Sequence, residues 1–324
     1  MPQTRLDTAR ILAARRLIDP VFLDTPFYRC EALEPSLGCA VNIKLETANP
    51  VRTFKGRGTE VVASLLADAD RRAVVCASAG NLGQALAWSG RTRGLDVTVV
   101  ASRSATAAKL DRIRALGATL ELVDGDHERA RERAADIARN ADIRLLEDSL
   151  DLETCEGAGT IGWELATAGT PFDTVLLALG GGALATGVGH VLKGTPGRGG
   201  LRAGAGRTGV GALPAPAPRR HHGLGRHHRR RVAGRFPIPA VLDDLLLVAD
   251  DVVLVREASI VAGMRMLLDH AGLVVEPSAA LGVAAILEDR DRFAGRSVAT
   301  VLCGSNVDMA AHRRWTGGAQ ARDR

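Results

Sequence analysis

The sequence predicts an α/β protein with two domains built on open, twisted and mostly parallel sheets. Short apolar runs alternate along the chain with longer segments of helical periodicity. This alternation is typical of parallel sheets covered by helices on both faces. The chain has 324 residues, which is enough to bury the cores of two such domains.

The individual elements follow from this periodicity. Strands are predicted at residues 40–46, 73–78, 96–102, 118–123, 173–180 and 297–304. Helices are predicted at residues 55–68, 81–93, 106–116, 127–140, 153–168, 256–271 and 277–288. We expect residues 51–146 to form a small domain, and residues 1–50 together with 147–324 to form a large one.

Residues 193–235 interrupt this rhythm. They include eleven basic residues and no acidic or aromatic one, whereas the whole chain has a net charge of +5. The positive charge is therefore local. The residues of this tract show the pattern of neither a strand nor a helix. Two interpretations stay open, a disordered basic arm that contacts nucleic-acid phosphates and a stretch read out of frame. We favour the second and expect no nucleic-acid partner.

The remaining composition restricts the location and the type of site. Five widely spaced cysteines lack any CxxC pair, so we expect reduced thiols and neither a disulfide framework nor a metal site. No apolar run reaches 18 residues, so we expect no membrane span and a cytoplasmic protein.

Four short stretches carry residues suited to chemistry, and three of them directly follow a predicted strand, where ligands bind in open α/β sheets. "NPVRTFKGRG" places Lys55 at the start of a helix, as either a nucleophilic amine or a solvated surface lysine. "SAGN" (78–81) forms a turn whose N–H groups could bind an anion, with Asn81 as either a helix cap or a ligand contact.

The other two stretches follow later strands. "LGGGALATG" places three glycines before a helix, an arrangement that permits close backbone approach to a phosphate. "LCGSN" follows the last strand, and its Cys303 is either a small core residue or a polar contact. An amine, an anion-binding turn and a separate phosphate loop together suit pyridoxal phosphate, which needs all three.

The chain resembles the fold-type II pyridoxal-phosphate enzymes, specifically the group of threonine/serine dehydratases and serine racemases. The motifs that carry the likeness are "KLE…N…TFKGRG", "SAGNLGQALA", "GGGALATG", "VEPSAALGVAA" and "CGSN". They occur in the order and at the spacing of that family and cover nearly the whole chain outside residues 193–235.

This resemblance implies a role for each site residue. Lys55 would bond to the cofactor aldehyde and move the Cα proton, beside the ring of Phe54. The residues implied to line the substrate carboxylate are Ser78, Ala79 and Asn81, and Asn81 would also contact the ring hydroxyl. The phosphate cradle would comprise Gly180, Gly181, Gly182, Ala183 and Leu184. Cys303 would face the ring nitrogen, and Glu276 would lie near the ring.

The implied activity is loss of water from a hydroxy amino acid such as L-threonine or L-serine, giving an enamine that is hydrolysed to a 2-oxo acid and ammonia, in a homodimer. Ala79 stands where racemases carry a serine base, so racemisation should be weak or absent. Alternatives are another β-eliminating or β-replacing enzyme, similar to cysteine synthase or threonine synthase, a homologue impaired by residues 193–235, and a non-catalytic binding protein.

Overall fold

A computed structural model describes residues 3–195, 200–206 and 238–317, in which helices cover two β-sheets. The strands are β1 (Phe27–Arg29), β2 (Ala40–Leu45), β3 (Ala73–Ala77), β4 (Asp96–Ser102), β5 (Thr119–Val123), β6 (Arg144–Leu146), β7 (Thr174–Ala178), β8 (Gly200–Gly206), β9 (Asp251–Val255) and β10 (Ser297–Leu302). The α-helices are α1 (Thr8–Ala14), α2 (Glu34–Leu37), α3 (Lys55–Asp68), α4 (Asn81–Arg93), α5 (Ala107–Ala115), α6 (His127–Ala141), α7 (Leu152–Thr167), α8 (Ala183–Lys193), α9 (Pro239–Val248), α10 (Glu257–Ala271), α11 (Leu281–Glu288), α12 (Arg290–Phe293) and α13 (Met309–Thr316).

The larger sheet has six strands in the order β1-β2-β10-β7-β8-β9. Its strands pair in parallel except for β1, which runs antiparallel to β2. The carboxyl ends of β2, β10 and β7 therefore lie side by side at one edge. Segments that leave these three strands begin close together, which is the geometry that ligand sites of open α/β sheets use.

The smaller sheet has four parallel strands in the order β5-β4-β3-β6. Successive side chains of β3 point to opposite faces. Val74 and Cys76 pack in one apolar cluster with residues of α3, α4 and α5, whereas Val75 packs against the alanines of α6. Both faces of the sheet are thus covered, and the predicted α/β class with mostly parallel sheets is confirmed.

Four of the observed strands, β1, β6, β8 and β9, were absent from the sequence prediction. β1 and β6 each have only three residues, too few to show an alternating pattern. β8 lies inside residues 193–235, so the expectation that this tract forms no strand is wrong for Gly200–Gly206. Its backbone pairs with both β7 and β9, and such pairing requires no apolar side chains. Residues 207–235 lie outside the described residues, and the predicted domain boundaries stay a prediction.

A fully buried cluster of charges joins the larger sheet to two helices. Arg57 of α3 has no exposed surface and donates from Nε and Nη2 to the Glu46 carboxylate, both at 2.8 Å. Its Nη1 and Nη2 donate to Glu164 of α7 at 2.6 and 2.9 Å. Lys44 Nζ completes the cluster by donating to Glu164 Oε2 at 2.5 Å and to the Thr25 carbonyl at 2.6 Å.

The cluster stays ionised because its charges compensate one another. Burial by itself would lower the pKa of Arg57, but Glu46 and Glu164 outweigh it and raise that pKa. Burial would likewise raise the pKa of Glu164, but hydrogen bonds and charges from Arg57 and Lys44 lower it. Removal of one member would leave buried charge without a partner, which is costly.

We predict that Arg57→Leu lowers the free energy of unfolding by about 3–5 kcal/mol, because Glu46 and part of Glu164 lose their cation. Urea unfolding followed by circular dichroism measures the change. The control is Arg114→Leu, which removes an exposed pair with Asp111 and should change the stability by no more than about 1 kcal/mol. Equal effects of the two substitutions would contradict the prediction.

Candidate active site

Lys55 is the first residue of α3, and a short turn fixes where that helix begins. The side chain of Asn49 shapes the turn by donating to the Glu46 and Thr53 carbonyls at 2.9 and 3.2 Å. The Phe54 N–H donates to the Cys303 carbonyl at 3.1 Å. The start of α3 is thereby attached to the end of β10, which brings Lys55 and Cys303 into one region.

The Lys55 side chain is largely buried and tightly paired. Its exposed fraction is 14%, and its Nζ lies 4.6 Å from the centroid of the Phe54 ring. Nζ donates to both carboxylate oxygens of Asp148, at 2.6 and 2.8 Å. The interpretation of Lys55 as a solvated surface lysine is therefore wrong.

The turn at residues 78–81 follows β3 and leads into α4. Ser78 Oγ accepts from the Gly80 N–H at 3.2 Å, and a Cβ on Gly83 would lie 1.9 Å from the Ser78 carbonyl oxygen. Gly83 therefore allows the helix to start this close to the turn. Ala79 is half-buried in the same turn.

Asn81 is the first residue of α4, and the cap position is held by Gly80. The Asn81 side chain does not cap the helix, so the capping interpretation is wrong. Its Nδ2 donates to Glu276 Oε1 at 2.8 Å, and its Oδ1 accepts from Asn306 Nδ2 at 2.9 Å. These two bonds fix the orientation of the amide and join the turn to the segments that contain Glu276 and Asn306.

Cys303 lies directly after β10 with its thiol buried. Its Sγ donates to Ser278 Oγ at 3.7 Å, and Ser278 Oγ donates to Glu276 Oε1 at 2.9 Å. Burial and the charge of Glu276 raise the pKa of the Cys303 thiol to about 12. The thiol is therefore neutral near pH 7 and able to donate or accept only a weak hydrogen bond.

The glycine loop follows β7 and leads into α8. Gly182 has φ +116°, a conformation that side chains rarely adopt, and a Cβ there would lie 2.5 Å from Val241 Cγ1. A Cβ on Gly181 would lie 2.6 Å from Ser149 Oγ, which also accepts from the Ala183 N–H at 3.1 Å. Leu184 is buried in the first turn of α8.

Two residues of the site, Asp148 and Ser149, were not predicted from the sequence. They follow β6, whose three residues gave no strand signal. Asp148 contacts Lys55, and Ser149 contacts the glycine loop. The "LLED" sequence, an apolar pair followed by two carboxylates, was the available signal, because a strand end is where ligand-contacting residues lie in such sheets.

The structure thus joins the predicted residues through short chains of contacts. Lys55 and Phe54 connect to Cys303 through the backbone, and Cys303 connects through Ser278 and Glu276 to Asn81. The glycine loop connects to Lys55 through the adjacent residues Ser149 and Asp148. The arrangement offers an amine, two helix N-termini and a neutral thiol in one region.

Comparison with known proteins identifies the family. A family model described as "Pyridoxal-phosphate dependent enzyme" matches residues 18–304. The chain belongs to this family. Pyridoxal phosphate is therefore its cofactor.

Individual proteins show the same likeness over more than nine tenths of this chain. The chain is 30% identical to a protein named "Putative threonine dehydratase" from Sinorhizobium fredii, over 97% of this chain and 96% of that one. It is 28% identical to an "L-threonine ammonia-lyase" from Thermotoga maritima, over 92% of this chain and 75% of that protein.

A solved structure confirms the fold. The processed form of threonine deaminase isoform 2 from Solanum lycopersicum superposes with a TM-score of 0.83 at 22% identity. The match covers 98% of this chain and 96% of that one. The fold is thus that of fold-type II pyridoxal-phosphate enzymes.

The residues present fit this cofactor. The phosphate needs backbone N–H groups that it can approach closely, and Gly181 and Gly182 leave no room for side chains at the N-terminus of α8. Thr186 Oγ1 lies 3.8 Å from a Cβ position on Gly182, and it is buried without a hydrogen-bond partner among the described residues. Lys55 is an amine of the kind that the cofactor aldehyde requires.

We predict that Gly182→Ala destabilises the protein by about 1–3 kcal/mol, because the new methyl group meets Val241 and the backbone φ is unfavourable. It should also weaken pyridoxal-phosphate binding, measured by fluorescence titration. Gly194→Ala, at the other end of α8, is the control, since φ is −78° and the nearest contact of its Cβ is 3.5 Å away. Similar affinities of both variants for pyridoxal phosphate would contradict the assignment of the glycine loop as the phosphate site.

We also predict that the cysteines of the folded protein react very slowly with iodoacetamide at about pH 8, because the thiolate is the reactive form. All five are free and buried, and burial raises the pKa of Cys76, Cys155 and Cys303 to about 12. Mass spectrometry measures the labelling, and urea-unfolded protein serves as the control. One rapidly labelled cysteine in the folded protein would contradict the prediction.

Proposed function

We propose that the protein removes water from a hydroxy amino acid such as L-threonine or L-serine, giving an enamine that is hydrolysed to a 2-oxo acid and ammonia. The observation that carries this proposal is the likeness, over 97% and 92% of this chain, to proteins named "Putative threonine dehydratase" and "L-threonine ammonia-lyase". The arrangement of Lys55, the glycine loop and Cys303 supports it, because each has the chemistry that the reaction needs.

Each group has a proposed task. Lys55 Nζ holds the cofactor and then moves the substrate Cα proton, while the ring of Phe54 excludes water beside it. Pyridoxal phosphate supplies an electron sink that stabilises the charge left at Cα. Residues 180–184 bind the phosphate through N–H groups at the start of α8. The N–H groups of the turn at Ser78, Ala79 and Asn81 bind the substrate carboxylate.

The thiol of Cys303 favours elimination over reactions that need a long-lived negative charge at Cα, such as racemisation. Burial raises its pKa to about 12, so the thiol is neutral near pH 7. If it faces the ring nitrogen, it would not hold a proton there as a carboxylate would. Charge at Cα is then stabilised less, and early departure of the β-hydroxyl is favoured. The methyl group of Ala79 accepts no proton, so we expect little racemisation.

The location and assembly are also proposals. Five buried, free cysteines fit a reducing compartment such as the cytoplasm, and the family resemblance suggests a homodimer. Within the described ranges, every helix is too short or too polar to cross a membrane. Light scattering on the purified protein tests the dimer.

The test of the proposed function is 2-oxo acid formation from L-threonine and L-serine by the purified protein. We expect Lys55→Ala to lower kcat/KM by at least about 10³-fold, because it removes both the cofactor attachment and the proton-transferring group. Lys109→Ala, on α5, is the control and should retain activity. Formation of a β-substituted amino acid in place of a 2-oxo acid would indicate a β-replacing enzyme and contradict the proposal.

A further inference from the structure

Asp148 lies at the reacting end of the candidate active site, yet the proposed elimination assigns no task to it. Its two carboxylate oxygens lie 2.6 and 2.8 Å from Lys55 Nζ. The Asp148 side chain is 34% exposed, whereas that of Lys55 is 14% exposed. The Asp148 carboxylate is therefore the more solvent-accessible member of this pair.

The loop that carries Asp148 is firmly held. The next residue, Ser149, has φ +67° and is fully buried. Its N–H donates to Thr154 Oγ1 at 3.0 Å, and its Oγ accepts from the Ala183 N–H at 3.1 Å. The loop is thus tied to α7 and to the start of α8. Asp148 Oδ2 lies 2.8 Å from Lys55 Nζ and 3.7 Å from the Cβ position of Gly181.

Within the described ranges, the other charges near Asp148 do not neutralise it. The adjacent Glu147 takes Arg131 as its partner, at 3.0 Å. His127 lies near Asp148, but burial lowers its pKa, so it is neutral near pH 7. Among the described residues, Lys55 is therefore the cation that pairs with Asp148. Lys55 is not an ammonium group while it is bonded to the cofactor, or while it acts as a neutral base toward the substrate.

We propose that Asp148 selects the side chain of the substrate. Its carboxylate accepts a hydrogen bond from a β-hydroxyl group or pairs with a positively charged side chain, and it repels a side-chain carboxylate. Like charges at close range suppress binding of the wrong ligand. The inference rests on the proposed function and adds that the preferred substrates have neutral or cationic side chains.

The experiment compares the binding of amino acids that have no β-leaving group, so that binding is separated from turnover. L-alanine is neutral, L-aspartate carries a β-carboxylate, and L-2,4-diaminobutyrate carries a cation. Each is titrated into the holoenzyme, and the change in cofactor absorbance gives its dissociation constant. For the unmodified protein we expect L-aspartate to bind at least about tenfold more weakly than L-alanine. We expect L-2,4-diaminobutyrate to bind at least as tightly as L-alanine.

Asp148→Asn should reduce the difference between L-aspartate and L-alanine to within about threefold, because an amide does not repel the carboxylate. The control is Glu147→Gln, which removes the same charge one residue away and should keep the full difference. The inference would be overturned if Asp148→Asn kept the full difference in affinity between L-aspartate and L-alanine. It would also be overturned if Glu147→Gln reduced that difference as much as Asp148→Asn does.

A second measurement needs no variant. Since Asp148 is partly exposed, high KCl should screen the repulsion and narrow the difference between L-aspartate and L-alanine in the unmodified holoenzyme. A difference that is absent at low salt, or independent of salt, would overturn the inference. The proposed function fails separately, if the holoenzyme forms no 2-oxo acid from L-threonine or L-serine.

Discussion

The buried guanidinium group of Arg57 is the constraint on which the rest of the site depends. It joins Glu46, directly after β2, to Glu164 on α7 from a position two residues beyond Lys55. A buried cation of this kind is tolerated only with all of its partners in place. The direction and depth of the first turn of α3 are therefore fixed, and with them the location of the Lys55 amine.

The parallel sheets provide the second level of organisation. β2, β10 and β7 run in the same direction, so the segments that contain Lys55, Cys303 and Gly180 start from one edge of the larger sheet. The smaller sheet contributes Asn81 after β3 and Asp148 after β6. Contacts from Asn81 to Glu276 and from Asp148 to Lys55 close the site between the two sheets, so neither sheet forms the site alone.

Much of this arrangement could be predicted from the sequence, since long periodic segments and strand-end motifs carry strong signals. The bounds of α3 and the start of α4 match their predictions. Short or glycine-rich strands carry almost no signal, and β6 and β8 were missed for that reason. Because β6 was missed, Asp148 was not recognised as a site residue. The ion pair itself joins residues 93 positions apart, which periodicity cannot reveal.

Lys55 alone among the four lysines of the chain should hold the cofactor. Borohydride reduction of the holoenzyme makes the bond between lysine and cofactor permanent, and peptide mapping by mass spectrometry then locates it. We expect a modified peptide that contains Lys55, with Lys44, Lys109 and Lys193 unmodified. Stoichiometric modification at any of these other lysines, or none at Lys55, would contradict it.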